Sequence, residues 1–327
     1  MKKYVALILS ALVIFTMAGC GKKKEKEYKL GLGIISEISS EDTEAIVKGT
    51  IATVVLDSDG KIIECRLDAV ENKIDVEGGK PDSEDIASDF ETKQELGEDY
   101  GMKEASKINK EWYEQADHFS NYVEGLTAEQ VGAIGTDKET ETDQLILSGC
   151  TIDISDFVKA IVLACEDKNY QRFNAAEFKL GLAVKSAVEK NDIKEAADKD
   201  GLIPMECTVS AVVTDKEGKS LAANLDVFSA NIKYNKEGKV TNSGEKLQTK
   251  KQLGDEYGMK AASKINMEWY EQARAFEQYV AGLDATGVNS IMLTTDNKAE
   301  DTILKAGCTI AIDNFMHSLY KAINYAK

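Results

Sequence analysis

A long internal repeat constrains the fold of this chain more than any other feature. The segment 92–116 returns at 249–273, and 19 of the 25 aligned residues are identical. Shorter matches flank it, since the YKLGL sequence at 28–32 corresponds to FKLGL at 178–182 and the GCTI sequence at 149–152 returns at 307–310. A unit of about 150 residues is much longer than a solenoid repeat of about 20–50 residues. We therefore expect one domain fold present twice.

Each repeat is predicted to be α+β, a small antiparallel sheet covered by helices. Strand-like runs at 50–56 and 61–67 flank the turn sequence Asp57-Ser58-Asp59-Gly60. Runs at 208–214 and 219–225 repeat this hairpin signal. The apolar run 30–35 is a further candidate strand.

The helices are predicted from apolar spacing and from capping residues. Apolar residues three and four apart predict an amphipathic helix over 103–124, ended by Gly125. Thr127 is a good cap for a short helix over 128–134. Ser155 is the expected cap of a last helix that buries Phe157.

The N-terminal residues predict export and anchoring. Two lysines precede an apolar run from Val5 to Met17, which is typical of a secretory signal and too short to remain as a span. The sequence Met17-Ala18-Gly19-Cys20 resembles the lipobox of bacterial lipoproteins. This resemblance implies lipid on Cys20 and a position on the extracytoplasmic face of the cell membrane. An ordinary cleaved signal or a short apolar anchor is the alternative.

The chain is thereby divided into five parts. We expect a signal peptide at 1–19, the lipidated cysteine with a charged tether at 20–27, a first repeat domain at 28–165, a polar linker at 166–177 and a second repeat domain at 178–327. The net charge of −17 repels nucleic-acid phosphates, so no nucleic-acid partner is expected. Besides Cys20 there are five cysteines, an odd number that argues against a disulfide framework and favours small buried side chains.

Catalytic and metal-binding signatures are absent from the sequence. His118 and His317 are the only histidines and are not equivalent in the two repeats, and neither zinc-ligand spacing nor a nucleophile elbow occurs. Trp112 continues the apolar stripe and is expected in the core. Tyr113 and its repeat Tyr270 stand one position away, and they are the candidates for contact with a planar ligand.

The remaining candidate site is the turn before the last helix of each repeat, Ser-Gly-Cys-Thr at 148–151 and Ala-Gly-Cys-Thr at 306–309. The order of hairpin, long helix, this turn and a last helix resembles the extracytoplasmic FMN-binding domain family. In that family a threonine of the motif Asp-x-x-Ser/Thr-Gly-Ala-Thr/Ser carries FMN through a phosphoester bond. The resemblance implies FMN on Thr151 and Thr309, with Ser148, Gly149 and Gly307 forming the turns.

The motif departs from the family pattern at defined positions. Cys150 and Cys308 stand in place of the alanine, and Ala306 replaces the Ser/Thr. The acidic position is Leu145 in the first repeat and Ile303 in the second. A closer resemblance is to repeat-bearing surface lipoproteins of Gram-positive anaerobes, which share the Leu-Gly-Glu-Asp-Tyr-Gly-Met segment and the Glu-Trp-Tyr-Glu-Gln helix.

Two functions follow as hypotheses. In the first, the chain is a flavin-dependent electron carrier at the cell surface that receives electrons from a membrane donor. In the second, both domains are ligand-binding or interaction modules that have lost the flavin. Neither hypothesis makes the chain a turnover enzyme in its own right.

Overall fold

The computed structural model describes residues 25–135 and 149–327, so the predicted lipidation site Cys20 and the turn residue Ser148 lie outside the described residues. The strands are β1 (Lys26–Glu41), β2 (Glu44–Leu56), β3 (Ile62–Asp75), β4 (Gln171–Ala175), β5 (Lys179–Val188), β6 (Gly201–Thr214), β7 (Ser220–Tyr234) and β8 (Lys246–Leu247). The α-helices are α1 (Ser83–Ala87), α2 (Lys93–Leu96), α3 (Trp112–Tyr122), α4 (Ala128–Gly132), α5 (Ser155–Cys165), α6 (Lys250–Leu253), α7 (Trp269–Tyr279), α8 (Ala285–Asn289), α9 (Thr302–Gly307) and α10 (Asp313–Tyr325).

The strands form two antiparallel sheets. The first has the order β3-β2-β1-β4, with β8 also paired to β1, and the second has the order β5-β6-β7. The first hairpin turn forms because Asp57 Oδ1 accepts hydrogen bonds from the main-chain N–H groups of Asp59 at 2.9 Å and Lys61 at 3.0 Å. Gly60 takes the left-handed φ of 75°. Both predicted hairpins and the α+β class are therefore confirmed.

The two sheets face each other across a common hydrophobic core. Leu30 of β1 and Leu180 of β5 both lie in this core and are fully buried. At the sheet edges β1 lies beside β7, and β3 lies beside β5. A buried hydrogen bond of 2.9 Å from Asn72 Nδ2 to Ser186 Oγ joins the β3 and β5 edges. The two repeats thus bury apolar surface against each other.

The segment 166–177, expected to be a linker, contains the strand β4. This strand pairs with β1 and places Phe173 opposite Tyr28. The two rings are stacked, with centroids 5.5 Å apart. The connection between the repeats is therefore an ordered extension of the first sheet.

Helices of each repeat cover the outer face of its own sheet. In the first repeat the rings of Trp112 and Phe157 meet edge to face with centroids 5.7 Å apart, and Trp269 and Phe315 do the same at 5.7 Å in the second. Trp112 is 4% exposed, which confirms its assignment to the core. Within residues 25–135 and 149–327, no helix has the length and apolar character needed to cross a membrane.

Glycines in β1 and β5 allow the last helix of each repeat to lie directly on a strand. A Cβ atom at Gly31 would lie 2.0 Å from the carbonyl oxygen of Ala164 in α5. At Gly181 it would lie 2.0 Å from the carbonyl oxygen of Ala322 in α10. Only a residue without a side chain fits at either contact.

The amphipathic helix predicted over 103–124 is shorter than expected, because α3 begins at Trp112. Asn109 has a φ of 52°, which no α-helix accommodates. Glu111 then caps α3, and its carboxylate also accepts the main-chain N–H of Met102 at 2.8 Å. The predicted end is confirmed, since Gly125 has a φ of 83°.

The other two predicted helices of the first repeat are present. Thr127 caps α4 through a capping box with Gln130, as expected, although α4 ends at Gly132. Ser155 is wrong as a cap, because it is the first helical residue of α5. Its main-chain N–H donates to Asp153 Oδ1 at 2.8 Å, so Asp153 supplies the side-chain acceptor.

Candidate functional site

The two threonines indicated by the flavin-attachment resemblance occupy equivalent positions, and a buried glutamine holds each of them. The main-chain N–H of Thr309 donates to Gln272 Oε1 at 2.9 Å, and its hydroxyl donates to the same oxygen at 3.1 Å. Thr151 makes the same contacts with Gln115 at 2.9 and 3.3 Å. Both glutamines are 0% exposed. Each turn is therefore fixed to the long helix of its own repeat.

Three acceptors around the side-chain amide nitrogen fix the orientation of the amide group in each glutamine. Gln272 Nε2 lies 3.2 Å from Ser263 Oγ, 3.2 Å from the carbonyl oxygen of Met267 and 3.4 Å from Met259 Sδ. Gln115 makes the equivalent contacts with Ser106, Lys110 and Met102. Because a buried amide needs its partners, this network explains why the two repeats are nearly identical over this segment.

The glycine of each turn lies against the long helix of its own repeat, at the same aligned position in both. A Cβ atom at Gly307 would lie 2.7 Å from Ala275 Cβ, and one at Gly149 would lie 2.2 Å from His118 Nδ1. Each glycine is therefore required for close approach of the turn to the helix, independently of any ligand.

Thr309 opens onto a cleft of ≈ 560 Å³ in the second repeat. Lys264, Lys298 and Lys305 line this cleft, with Asp296 as a lining acid. None of the three lysines forms an ion pair with a carboxylate in the part of the chain that the structure describes. The cleft is thus locally basic in a chain of net charge −17. Such a place attracts anions.

A second cavity of ≈ 260 Å³ adjoins this cleft and shares the walls formed by Met259, Ile310 and Ala311. Its further lining includes the aromatic side chains Trp269 and Phe315. The acids Glu189, Glu206 and Asp313 line it as well. The second cavity thus places aromatic rings and carboxyl groups next to the basic cleft.

The two tyrosines proposed as ligand contacts make contacts within the protein. Tyr270 donates its hydroxyl to Asp255 Oδ1 at 3.0 Å, and this hydrogen bond raises the pKa of the tyrosine. Tyr270 does not line the cleft at Thr309. Tyr113 packs, partly buried, on the apolar core beneath the helices of the first repeat. Trp269, the first residue of α7, lines the cavity next to the cleft.

The cysteines next to the threonines are not nucleophiles at neutral pH. Burial raises the pKa of the Cys150 thiol and of the Cys308 thiol to about 11. Both side chains pack in the apolar cores as expected, and all five described cysteines are free. The described residues contain no group of histidine, cysteine or acidic side chains arranged to hold a metal ion.

Sequence reasoning missed a pair of buried carboxyl groups at equivalent positions in β3 and β7. Burial raises the pKa of Asp68 to about 7. Burial also raises the pKa of Asp226, to about 6, while the charge of Lys251 lowers it. Both carboxylates accept main-chain N–H groups, from Gln94 at 3.1 Å and from Lys251 at 3.0 Å. The available signal was an aspartate at the same aligned position inside an apolar strand of each repeat.

Comparison with known proteins gives limited similarity. No protein-family model matches the chain, and no solved structure matches it. The chain is 33% identical over 93 residues to the chlorophenol reductase of Desulfitobacterium hafniense, an overlap of 25% of this chain and 28% of that protein. The chain therefore spans less than a third of the length of this curated relative.

Proposed function

We propose that the protein is an extracytoplasmic, lipid-anchored electron carrier in which the cleft at Thr309 holds FMN. The position of Thr309 supports this function, because a hydroxyl already indicated by the sequence lies in a cleft with three lysines that have no ion pair within residues 25–135 and 149–327. The membrane is then a partner through lipid on Cys20, and a membrane electron donor or a surface protein would exchange electrons with the flavin. The partial similarity to a reductase agrees with a redox role.

The size of the cleft and its lysines support FMN as the occupant. A volume of ≈ 560 Å³ is within the range of about 300–1,000 Å³ that is usual for cofactor sites. Lys264, Lys298 and Lys305 would bind the phosphate, and the neighbouring wall with Trp269 and Phe315 would face the ring system. When bound, FMN supplies one- and two-electron redox chemistry.

Covalent attachment would use the Thr309 hydroxyl. In that step the Oγ1–P bond forms, and the bond from the flavin phosphate to its leaving group breaks. With a flavin dinucleotide as donor and a separate transferase as catalyst, the leaving group is a nucleoside monophosphate, which takes the hydroxyl proton. Gln272 positions the hydroxyl through the 3.1 Å hydrogen bond, and the neighbouring Cys308 thiol stays protonated because its pKa is raised to about 11.

A second candidate function is a ligand-binding or interaction lipoprotein without flavin. One observation favours it, because the hydrogen bonds from Thr151 to Gln115 and from Thr309 to Gln272 give both threonines a structural role in anchoring the turns. That role needs no cofactor.

Coexpression with a flavin transferase in the periplasm separates the two functions. We expect flavin fluorescence in a denaturing gel and an intact mass raised by one FMN less one water. Thr309→Ala should remove the increment carried by the second repeat, and Thr309→Ser, which keeps a hydroxyl, should retain it. Thr286→Ala changes an exposed threonine and is the matched control. A chain that carries no covalent flavin under these conditions would disprove the attachment.

The lysines are tested through noncovalent binding of FMN to the Thr309→Ala protein. A hydrogen bond to a charged group contributes about 1.5–3 kcal/mol, so replacement of one lysine that binds the phosphate should weaken FMN by about tenfold or more. Lys305→Gln and Lys264→Gln should show this loss of FMN affinity in a titration of flavin fluorescence. The affinity for riboflavin, which lacks the phosphate, should not change in either variant. Equal effects on both flavins would show that the lysines do not bind the phosphate.

A further inference from the structure

The cavity that adjoins the cleft at Thr309 has a counterpart in the first repeat. We call the cavity of ≈ 260 Å³ the second-repeat cavity, and its lining includes Thr208, Lys250 and Asn314. A smaller cavity of ≈ 110 Å³, the first-repeat cavity, is lined by the aligned residues Thr50, Lys93 and Asp156. Because aligned positions line both cavities, the remaining differences between them show what each cavity could bind.

Every acid that lines the first-repeat cavity has a lysine partner. The ion pairs are Glu71–Lys93 at 2.9 Å, Asp156–Lys159 at 2.8 Å and Glu37–Lys246. Lys48 is a further cation in the wall of this cavity, and the aligned residue of the second repeat is Glu206. The chain therefore neutralises the first-repeat cavity with its own side chains.

The second-repeat cavity is not neutralised in this way. Lys250 Nζ lies 2.6 Å from Glu206 Oε1, but neither Glu189 nor Asp313 forms an ion pair within residues 25–135 and 149–327. Asp313 accepts a neutral donor instead, the side-chain amide of Asn297 at 3.0 Å. Burial raises the pKa of Glu189, and the charges of neighbouring carboxylates, that of Glu206 first, raise it further. Negative charge therefore accumulates in this cavity.

A buried hydroxyl in the second-repeat cavity also lacks a partner. Thr208 is 1% exposed and lines the cavity, and its side chain makes no hydrogen bond to any residue that the structure describes. Its neighbours Cys207 and Val209 lie in the common core, so Thr208 lies on the helix-covered face of β6. On the same face, Ser210 is paired with Ser318 at 2.7 Å. Because buried hydroxyls are normally paired, Thr208 indicates a place for a ligand.

The chain already places one ammonium group against this wall. Lys250 Nζ lies 5.4 Å from the ring centroid of Tyr257 and 5.5 Å from that of Trp269, in addition to its contact with Glu206. Carboxylates and aromatic faces both attract cations. The described residues contain no group of acidic, histidine or cysteine side chains arranged to hold a metal ion. The wall thus favours a second ammonium group over a metal.

We propose that the second-repeat cavity binds a small organic ammonium cation. Its N–H groups would donate to the carboxylates of Glu189 and Asp313 and to the hydroxyl of Thr208. Its apolar part would lie against Phe315, which also lines the cavity. A volume of ≈ 260 Å³ is below the range of about 300–1,000 Å³ that is usual for larger ligands, so the ligand is small. Binding of the cation does not depend on flavin in the neighbouring cleft.

Benzylammonium is the probe, and benzyl alcohol, which has a similar shape and no charge, is its control. In ¹⁵N-labelled mature protein carrying Thr309→Ala, which has no attached flavin at this site, benzylammonium should shift the indole N–H resonance of Trp269 saturably. The indole resonance of Trp112, the aligned residue of the first repeat, should not move. Benzyl alcohol should bind at least about tenfold more weakly, because hydrogen bonds between charged groups are stronger than neutral ones. Equal binding of the two compounds would overturn the proposal.

Two variants test the position of the ligand. Thr208→Val removes the hydroxyl and keeps the branched shape, so it should weaken benzylammonium by about tenfold, whereas Thr50→Val, the aligned change in the first repeat, should not. Glu189→Gln should weaken benzylammonium by a similar factor. Glu217→Gln, which changes an exposed acid of the β6–β7 turn, is its control and should have no effect.

A cooperative thermal transition checks that each variant folds, and Glu189→Gln is expected to fold because Glu189 is exposed. An affinity for benzylammonium that is unchanged in both folded variants, Thr208→Val and Glu189→Gln, would overturn the proposal. So would the absence of a saturable shift of the Trp269 resonance in the parent protein. Calcium in place of benzylammonium tests for a metal site, and calcium binding as tight as that of benzylammonium would overturn the assignment to an organic ammonium.

Discussion

Replacement of Glu277 by serine should be among the most destabilising single changes in the second repeat. The carboxylate is 1% exposed and pairs with a lysine that is 6% exposed, at 2.6 Å. Its removal leaves the buried Lys251 ammonium without its ion-pair partner, and the N–H of Leu225 loses its acceptor. Breaking one partner of a buried ion pair costs about 3–5 kcal/mol. We therefore expect the free energy of unfolding to fall by about this amount.

The first repeat provides the compensating change. There, Gln94 and Ser120 occupy the positions of Lys251 and Glu277, so the repeat fold accepts this combination. The double variant Lys251→Gln with Glu277→Ser should be less destabilised than the sum of the two single variants. A coupling free energy of about 2–3 kcal/mol is expected for two groups in direct contact within one network.

Urea unfolding of the two single variants and the double variant measures this coupling. Fluorescence and far-UV circular dichroism should give coincident transitions, and m should stay unchanged if only stability has altered. Additive losses within about 0.5 kcal/mol would refute the reasoning. So would a loss below about 1 kcal/mol for Glu277→Ser alone, since that is the magnitude of an exposed ion pair.

Three further outcomes are expected. Lys251→Gln should raise the pKa of Asp226 from about 6 toward the value of about 7 at Asp68, measured by ¹³C NMR of the carboxyl groups, and an unchanged pKa would show that the lysine charge does not act on it. Because the folded state holds the Asp68 proton up to about pH 7 while the unfolded chain loses it near 3.8, the free energy of unfolding should fall as pH rises through this window. Asp68→Asn should flatten that dependence in urea titrations at several pH values, and an equally steep slope in the variant would contradict it. Gly181→Ala should lower Tm markedly, because the new Cβ would lie 2.0 Å from a helix carbonyl oxygen. Gly132→Ala, whose new Cβ would have its nearest contact at 3.7 Å, should leave Tm almost unchanged. Similar Tm values for the two variants would argue against close packing of α10 on β5.

The elements predictable from sequence are those that depend on local chemistry. The hairpin turn at Asp57 follows from one side chain that accepts nearby N–H groups, and the cap at Thr127 follows from a capping box. The late start of α3 was missed because the same apolar spacing runs through the segment before Trp112. Only the left-handed φ of Asn109 and the contacts of Glu111 interrupt the helix, and neither changes the apolar pattern.

The arrangement of the repeats could not be read from local patterns. Apolar residues such as Leu30 and Leu180 indicate a buried strand face, but they do not say whether each repeat covers that face alone or with its copy. The same limit applies to the candidate site. Thr309 was found by its sequence motif, while the lysines of its cleft come from separate segments at 264, 298 and 305 and meet only in the folded chain.

Comparison of the two repeats shows which buried residues the fold requires in both copies and which it does not. Gln115 and Gln272 each hold a turn through the same buried contacts. Replacement of either glutamine would leave several hydrogen-bonding groups unpaired. The segment that contains the glutamine is nearly identical in both repeats. The Lys251–Glu277 pair carries no such shared requirement. In the second repeat these two residues and Asn224 satisfy one another, whereas the first repeat has Gln94, Ser120 and Arg66 at the aligned positions.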